Sequence, residues 1–394
     1  MVIHFTGTMQ KPVHIVVNKH TPFAVQLFER IGNVTALDTK EITKETVKDA
    51  DILIVRSETK VNRELLEGSK VKFVGTVTIG IDHIDVDYLK EKGIHFVSAP
   101  GSNANSVGEY VISALLELAN LKHLSLTNKT IGIVGVGNVG SNVWRKAEAL
   151  GMKVLLNDPP LEMQGCNYPL IPLEDLMRAD IISLHVPLTR SGPYATYHFF
   201  DEKRIGQMKP GSILINTSRG PVVETNALKE ALIHRHLSGA VLDVWENEPR
   251  IDTELLDLAS IGTPHIAGYS LDGKINALWM NYKAVCKFLS LPIDKSIESI
   301  IPSPSLPEIN IERIDSLEET LREIVKKCYD IIFDDRNLRK IIMLPKEQQA
   351  DYFSSLRANY RIRREFFNTT INIPKREAVF GRILESLGFK INFY

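Results

Sequence analysis

The stretch from Thr130 to Asp158, TIGIVGVGNVGSNVWRKAEALGMKVLLND, restricts the possible folds of this chain most. An apolar run, Ile131 to Val136, predicts a buried strand, and Gly135, Gly137 and Gly140 stand in G-x-G-x-x-G spacing. A helical pattern from Val139 to Leu150 and a second apolar run, Lys153 to Asn157, complete a β-α-β unit closing on Asp158. The first glycine permits a tight turn, the second lets a pyrophosphate approach the backbone, and the third lets helix and strand pack closely. The helix N-terminus then faces the phosphates. A carboxylate ending the second strand accepts from both hydroxyls of an adenosine ribose and repels a 2′-phosphate, so Asp158 argues for NAD.

Short apolar runs continue on both sides of this unit. Val13 to Val17, Val34 to Leu37, Asp51 to Val55, Phe73 to Thr76 and His95 to Val97 predict strands before it. A helix over Pro22 to Ile31, capped by Thr21, and helices at Asn62 to Glu67 and Val86 to Lys92 alternate with them. Residues 101 to 126 predict a long helix bridging two domains, capped near Asn105 or Ser106, with Val107, Val111, Ala114, Leu115, Leu118 and Leu121 on one face. Asp180 to His185, Ser212 to Asn216, Gly239 to Val244 and Ser260 to Thr263 bring the central sheet to about six strands. A helical pattern over Asp272 to Leu291 could return to the first domain. Prolines 302, 304 and 307 among serines then mark a linker. Beyond it the pattern predicts a helix over Ser316 to Phe333, a basic tract at 356 to 367, a strand Thr370 to Ile373, a helix Glu377 to Leu387 and a strand Phe389 to Phe393. Strands alternating with helices make this an α/β protein.

At 394 residues the chain exceeds one ordinary core. A formal net charge of -1 gives no electrostatic case for nucleic acid or an anionic membrane, so a substrate anion must be met by locally placed arginines and lysines. Three widely spaced cysteines, Cys166, Cys286 and Cys328, form neither a metal-ligand pattern nor a disulfide framework, which fits a cytoplasmic setting. No signal peptide or membrane span is expected.

Ligands of open α/β sheets bind beyond the carboxyl ends of the strands. There the sequence sets His185, Thr217-Ser218-Arg219, Asp243 and His265. The planar fork of Arg219 suits a substrate carboxylate. His265, in TPHIAGY, is a candidate base, with Glu248, in DVWENEP, to fix its tautomer and stabilise the imidazolium. Asp243 could bond the nicotinamide amide, and His185 lines the crevice. NAD, a carboxylate clamp and a histidine held by a carboxylate together suit oxidation of a 2-hydroxy acid.

The segments GIVGVGNVG, LLNDPP, LHVPLT, INTSRGPVV, LDVWENEP and TPHIAGY, in this order, resemble the D-isomer-specific 2-hydroxyacid dehydrogenases. The resemblance implies a Rossmann-type NAD-binding domain, residues 107–270, inserted in a flavodoxin-like α/β substrate or lid domain, residues 1–106 and 271–301. It implies Arg219, Glu248 and His265 as the catalytic triad. By motif position NAD should meet Gly135, Gly137, Asn138, Val139, Gly140, Asp158, Val186, Thr217, Ser218, Arg219, Asp243 and Gly268, and substrate should meet Ser57, Thr78 and Tyr269. Val186 departs from the polar residue common there.

A closer likeness spans almost the whole chain and is carried by VRSETKVN, GTVTIGIDHID, GSNANSVGEYV, LTRSGPYATYH, HIAGYSLDGK and LRANYRIRREF. It is to a branch of this family that acts on a phosphorylated 2-hydroxy acid. That branch forms a homodimer through a C-terminal α+β domain, here residues 302–394, with a D-D-x-x-L-R motif at Asp334 to Arg339. For the substrate phosphate, Arg363 is the first choice among Arg361, Arg363 and Arg364, with Arg56 and Lys60 as first-domain candidates; arginines paired at a subunit interface is the alternative. Two rivals remain: another substrate, such as 3-phosphoglycerate, and an NAD-sensing, corepressor-like binding protein. Residues 1 to 11 precede the usual start and are expected to be disordered.

Overall fold

The computed structural model describes residues 12–294, 301–314 and 316–394. The expectation for residues 1 to 11 lies outside them. The chain divides into two compact units. One runs up to Ser102 and resumes from Lys274 to Pro302; the other comprises Asn103–Gly273 and Ser303–Tyr394.

The first unit holds a parallel sheet of β1 (His14–Asn18), β2 (Asn33–Leu37), β3 (Ile52–Val55), β4 (Phe73–Thr76) and β5 (His95–Val97). Their order is β2-β1-β3-β4-β5, the flavodoxin-like doubly wound arrangement. Strands β3 and β4 are buried throughout and β1 nearly so, while the edge strands β2 and β5 are partly exposed. Central strands covered on both faces read as unbroken apolar runs, which is why ILIV and HIVVN were legible. The first helix is shorter than expected, Ala24–Phe28. Phe23 adopts φ 62° at its N-cap, so Thr21 and Pro22 stay outside the helix. In the helix Leu271–Phe288, Asn281 is fully buried and donates Nδ2 to Thr76 O at 3.0 Å, which ties that helix to the end of β4.

The second unit carries β6 (Thr130–Val134), β7 (Lys153–Asn157), β8 (Ile181–Leu184), β9 (Ile213–Asn216), β10 (Gly239–Leu242) and β11 (Ile261–Gly262). All pair in parallel, in the order β11-β10-β9-β8-β6-β7. Strand order reverses at β6, with β7 on one side and β8 on the other. That switch point is where a doubly wound sheet opens a ligand crevice.

Residues 303–394 add a parallel sheet of β12 (Glu308–Asn310), β13 (Thr370–Ile373) and β14 (Lys390–Phe393), in that order. Helices Leu317–Cys328, Ile331–Arg339, Lys346–Ala358 and Ala378–Leu387 accompany it. Asp330 caps the second of these through Phe333 N, so the single helix expected over 316–333 is two. The helix Lys346–Ala358 and strand β12 were not expected at all.

This segment does not stand apart as a body with its own core. Leu321, Ile324, Tyr329, Phe366 and Leu384 join Tyr110, Val111, Leu115, Ile131 and Val143 in one cluster of buried apolar side chains. The helix Ala104–Lys122 explains why: from Ser106 to Ala119 every residue is buried. A helix buried all round needs cover on every side, not on one stripe. Its polar groups are correspondingly satisfied. Ser113 Oγ donates to Tyr329 O at 3.2 Å, Glu109 Oε1 accepts from Phe366 N at 2.8 Å, and Glu117 faces Arg322 at 3.5 Å. The helix begins after Asn103, so Ser106 lies inside it and not at its cap. Among the described residues no helix is long and apolar enough to cross a membrane.

Candidate active site

The glycine turn between β6 and the helix Asn138–Ala149 has a shape that side chains would spoil. Gly135 has φ +87°, and a Cβ there would lie 2.7 Å from His185 O. A Cβ on Gly140 would lie 1.9 Å from Gly135 O, so that glycine is needed for helix and turn to touch. At Gly137, by contrast, a Cβ would meet nothing within 4 Å. Gly137 is also the N-cap, with no side-chain cap and no acidic residue in the first turn. The helix therefore presents uncapped N–H groups from Asn138, Val139 and their neighbours to open space, which suits a pyrophosphate. These residues fit NAD.

Asp158 follows β7 and is half-buried. Its Oδ2 accepts from Val136 N at 2.8 Å and its Oδ1 from Leu161 N at 3.0 Å. It thus fixes the glycine turn to the end of β7 while keeping lone pairs for ribose hydroxyls. Val186, after β8, packs with the second apolar cluster, and its Cγ1 would lie 3.0 Å from a Cβ on Gly135. The ring of His185 sits between Ser183 Oγ, 2.9 Å from Nε2, and Thr217 Oγ1, 3.2 Å from Nδ1. Burial holds its pKa down to about 3, so the ring is neutral.

The turn after β9 is set by Asn216. Its Oδ1 accepts from Ser218 N at 3.0 Å and Ser218 Oγ at 2.8 Å, and its Nδ2 donates to Arg219 O at 3.0 Å. Gly220 comes next, and a Cβ there would lie 1.9 Å from Trp245 O. That close approach seats Arg219 beside the loop carrying Glu248. Arg219 Nη1 donates to Ser218 O at 2.9 Å.

Glu248 and His265 meet. His265 Nδ1 lies 2.7 Å from Glu248 Oε2, and Glu248 Oε1 accepts from Trp245 N at 2.8 Å. With Nδ1 directed at the carboxylate, Nε2 is the nitrogen left to take a proton. Burial alone would push the Glu248 carboxyl up. The charge and hydrogen bond of His265, the Trp245 N–H and the charge of Arg357 outweigh it and hold the group below the ordinary carboxylate value.

His265 has φ 57°, an uncommon backbone state for a residue with a side chain. Asp243, almost fully buried, holds it there. Its O accepts from His265 N at 2.7 Å, its Oδ1 from Ile266 N at 2.8 Å and Thr263 Oγ1 at 2.6 Å, and its Oδ2 from Ala267 N at 2.9 Å. Asp243 thereby positions the histidine turn. Gly268 lies against Asn103, whose Nδ2 would be 2.0 Å from a Cβ there.

Tyr269 continues this loop, and its hydroxyl accepts from Arg357 Nη2 at 2.8 Å. Arg357 was not singled out in the sequence. It ends the helix Lys346–Ala358, whose one fully buried side chain, Phe353, leaves no apolar stripe to read.

Arg363 is placed differently from expectation. It is 3% exposed, donates to Ser106 Oγ and to the carbonyls of Ser106 and Ala267, and stacks on Tyr329 at 4.4 Å. A guanidinium so enclosed fastens the histidine loop to the helix Ala104–Lys122 and does not suit phosphate capture. Arg361 pairs with Asp334, and Arg364 with Asp272 at 3.0 Å. In the first unit, Ser57 is exposed in the turn after β3. Thr78 follows β4, its Oγ1 donating to Gly80 O at 2.9 Å and lying 2.7 Å from Thr76 Oγ1.

Comparison with known proteins agrees with this geometry. Residues 110–267 match the model of the D-isomer specific 2-hydroxyacid dehydrogenase, NAD binding domain, and residues 300–388 match a domain of unknown function. Among solved structures, the D-lactate dehydrogenase of Aquifex aeolicus, complexed with NAD and lactic acid, is 30% identical with a TM-score of 0.58, covering 70% of this chain and 95% of that one. The NAD-bound 3-phosphoglycerate dehydrogenase of Entamoeba histolytica is 26% identical with a TM-score of 0.60, covering 71% and 96%. The chain belongs to the D-isomer specific 2-hydroxyacid dehydrogenase family. Its curated relatives are more particular. The erythronate-4-phosphate dehydrogenase of Cronobacter sakazakii is 44% identical over 377 residues, 95% of this chain and 97% of the relative. That of Pseudomonas fluorescens is 41% identical over 376 residues, 95% and 98%.

Proposed function

We propose that this protein oxidises 4-phospho-D-erythronate with NAD, giving 3-hydroxy-2-oxo-4-phosphooxybutanoate and NADH on the route to pyridoxal 5′-phosphate. The observation that carries the reading is the 2.7 Å contact between His265 Nδ1 and Glu248 Oε2, in a chain alignable over 97% of an erythronate-4-phosphate dehydrogenase.

NAD, when bound, supplies the hydride acceptor. The uncapped helix at Gly137 and the turn at Gly135 hold its pyrophosphate, Asp158 its adenosine ribose, and Val186, Thr217, Ser218, Asp243 and Gly268 line the rest of its site. Arg219 binds the substrate carboxylate and polarises the oxygen at C2. His265 Nε2 takes the C2 hydroxyl proton as the C2–H bond breaks and the carbonyl forms. Glu248 stays ionised and stabilises the imidazolium. Ser57, Thr78 and Tyr269 contact the substrate. In the reverse direction the imidazolium returns the proton.

The protein acts as a homodimer through residues 302–394, a reading supported by the exposed apolar side chains of Met343, Ile362 and Val379. Sedimentation at equilibrium tests it. The free state of Cys166, Cys286 and Cys328 supports a cytoplasmic setting.

The experiment for the activity is NADH absorbance with 4-phosphoerythronate, 3-phosphoglycerate and D-lactate, run beside His265→Ala. Turnover of 4-phosphoerythronate above the others, lost in a variant that still binds NAD, is the expected result. Preference for another acid would reassign the substrate. NAD-dependent peptide capture without turnover would replace the enzymatic reading.

A further inference from the structure

The loop DVWENEP carries two glutamates, and the reaction proposed above uses only Glu248. Glu246 has a histidine of its own. His198 Nε2 lies 2.7 Å from Glu246 Oε1, and Glu246 Oε2 accepts from Thr225 N at 2.9 Å. Both oxygens of this half-buried carboxylate are therefore engaged, one on the imidazole and one on the start of the helix Thr225–Ile233, whose own N-cap residue supplies no side-chain bond. Burial alone would raise the Glu246 carboxyl. Thr225 and His198 outweigh it and hold the group below the ordinary carboxylate value. An ionised carboxylate only accepts, so Nε2 of His198 carries the proton.

Both anchors of Glu246 are tied to the segment that follows Arg219. His198 has φ 49°, and its N donates to Pro221 O at 2.7 Å. Phe200 N donates to Val222 O at 2.9 Å, and Glu224 N to Phe200 O at 3.0 Å. Tyr197 stacks on the His198 ring with centres 4.1 Å apart. On its other side Glu246 adjoins the loop of Glu248. A Cβ on Gly220, next to Arg219, would lie 1.9 Å from Trp245 O and 2.5 Å from Glu246 N. Trp245 N donates to Glu248 Oε1 at 2.8 Å, and Asn247, with φ 60°, turns the chain between the two glutamates. The Trp245–Glu246 peptide therefore packs on the arginine turn, while the N–H of the same tryptophan holds Glu248.

We infer that Glu246, fixed by His198, is a positioning residue: it anchors the Trp245 backbone so that Glu248 reaches His265 Nδ1. This rests on the reaction proposed above, in which Glu248 supports the base. Glu246 takes no part in proton transfer. Its task is geometric, and a shift of about 1 Å in a supporting group is enough to slow a reaction about 100-fold.

Full-length wild type, Glu246→Ala, Glu246→Gln, His198→Ala and His198→Gln are assayed with NAD and 4-phosphoerythronate. Glu246→Ala lowers kcat roughly 10- to 100-fold with NAD affinity kept. Glu246→Gln, which still accepts from Thr225 N and meets the other tautomer of His198, recovers most of the rate. Glu248→Gln does not, because there the charge itself is used. His198→Ala loses less than Glu246→Ala, and His198→Gln, which keeps a donor, loses less again. In a Glu248→Gln background Glu246→Ala has little further effect, since the group it positions is already disabled. An unchanged kcat in Glu246→Ala, a Glu246→Gln as slow as Glu246→Ala, or losses that multiply in the double variant overturn the inference. The downfield proton resonance of a histidine ring N–H bound to carboxylate, assigned to His265 by its loss in His265→Ala, separates this from the choice of substrate. Glu246→Ala displaces or broadens that resonance with no substrate present. If wild type fails to oxidise 4-phosphoerythronate, a displaced resonance upholds the positioning role and an unmoved one overturns it too. Should Glu246→Ala misfold by its melting curve, the His198 variants carry the comparison, and full kcat in His198→Ala then overturns the inference.

Discussion

The backbone N–H of Gly262 donates to Asp335 Oδ1 at 2.7 Å. Gly262 ends the edge strand of the nucleotide-binding sheet, and Asp335 belongs to the D-D-x-x-L-R motif of the C-terminal segment. Arg339 completes the joint: its Nε bonds Asp335, and its Nη atoms donate to the carbonyls of Leu256 at 2.9 Å and Ala259 at 2.7 Å. The motif therefore docks the extension onto its own chain. Asp335→Ala leaves a buried N–H and a guanidinium without this acceptor and should lower stability by about 1–3 kcal/mol. Denaturant unfolding of variant and wild type measures it; an unchanged midpoint would show the joint to be dispensable.

Gly137 and Gly140 should respond oppositely to alanine. A methyl at Gly137 meets open space and a backbone with φ -70°, so Gly137→Ala keeps the wild-type melting temperature. It obstructs the approach of the pyrophosphate, and NAD affinity drops. Gly140→Ala forces a methyl onto Gly135 O and destabilises the fold before any cofactor is added. Melting curves and NAD titration of the two proteins make the test.

Glu248→Gln removes the charge opposite His265 but keeps the shape. We expect kcat to fall about 100-fold or more, within the range that positioned acid–base groups contribute, with NAD affinity retained. The folded-state pKa of Glu248 is depressed, so its stabilising contribution is complete above the ordinary glutamate value of ~4.3 and is lost as pH falls through the lowered one. The stability gap between wild type and Glu248→Gln should therefore begin to narrow only below the ordinary glutamate value of ~4.3. A gap that closes near neutral pH would mean that the carboxylate is not held ionised.

His185 carries linkage of the same sign from a different cause, burial of an imidazole and not a charged partner. Burial keeps its pKa at about 3, while the unfolded chain takes up that proton near ~6.5. Between those values the unfolded state binds one more proton, so stability declines as pH drops, by up to ~1.4 kcal/mol per unit for this group. His185→Asn abolishes this component, and its stability relative to wild type should improve steadily on acidification. A difference independent of pH would refute the assignment.

The sequence exposed some of this more readily than the rest. The strands of both doubly wound sheets were visible because central parallel strands are apolar on both faces, and the His265–Glu248 pair because each follows a strand of the second sheet, Glu248 after β10 and His265 after the edge strand β11. The course of the C-terminal segment was not. In KEQQADYFSSLRA one buried phenylalanine gives no period, so the helix that delivers Arg357 left no trace. Arg363 misled because the pattern RIRRE does not reveal which guanidinium turns inward onto Ala267 O and which meets Asp272. The helix Ala104–Lys122 read as a one-sided amphipathic bridge, whereas its second side is covered by residues some two hundred positions later, such as Tyr329 and Phe366.

That late cover bears on how the protein is made. As the polypeptide leaves the ribosome, every strand of the NAD-binding sheet emerges before Leu321, Tyr329, Phe366 and Leu384. Until they arrive, Tyr110, Val111 and Leu115 have part of their surroundings missing. Synthesis therefore passes through a stage at which the lobe carrying His265 is complete in sequence but still wet along its longest helix, and that flank dries only once the late residues arrive.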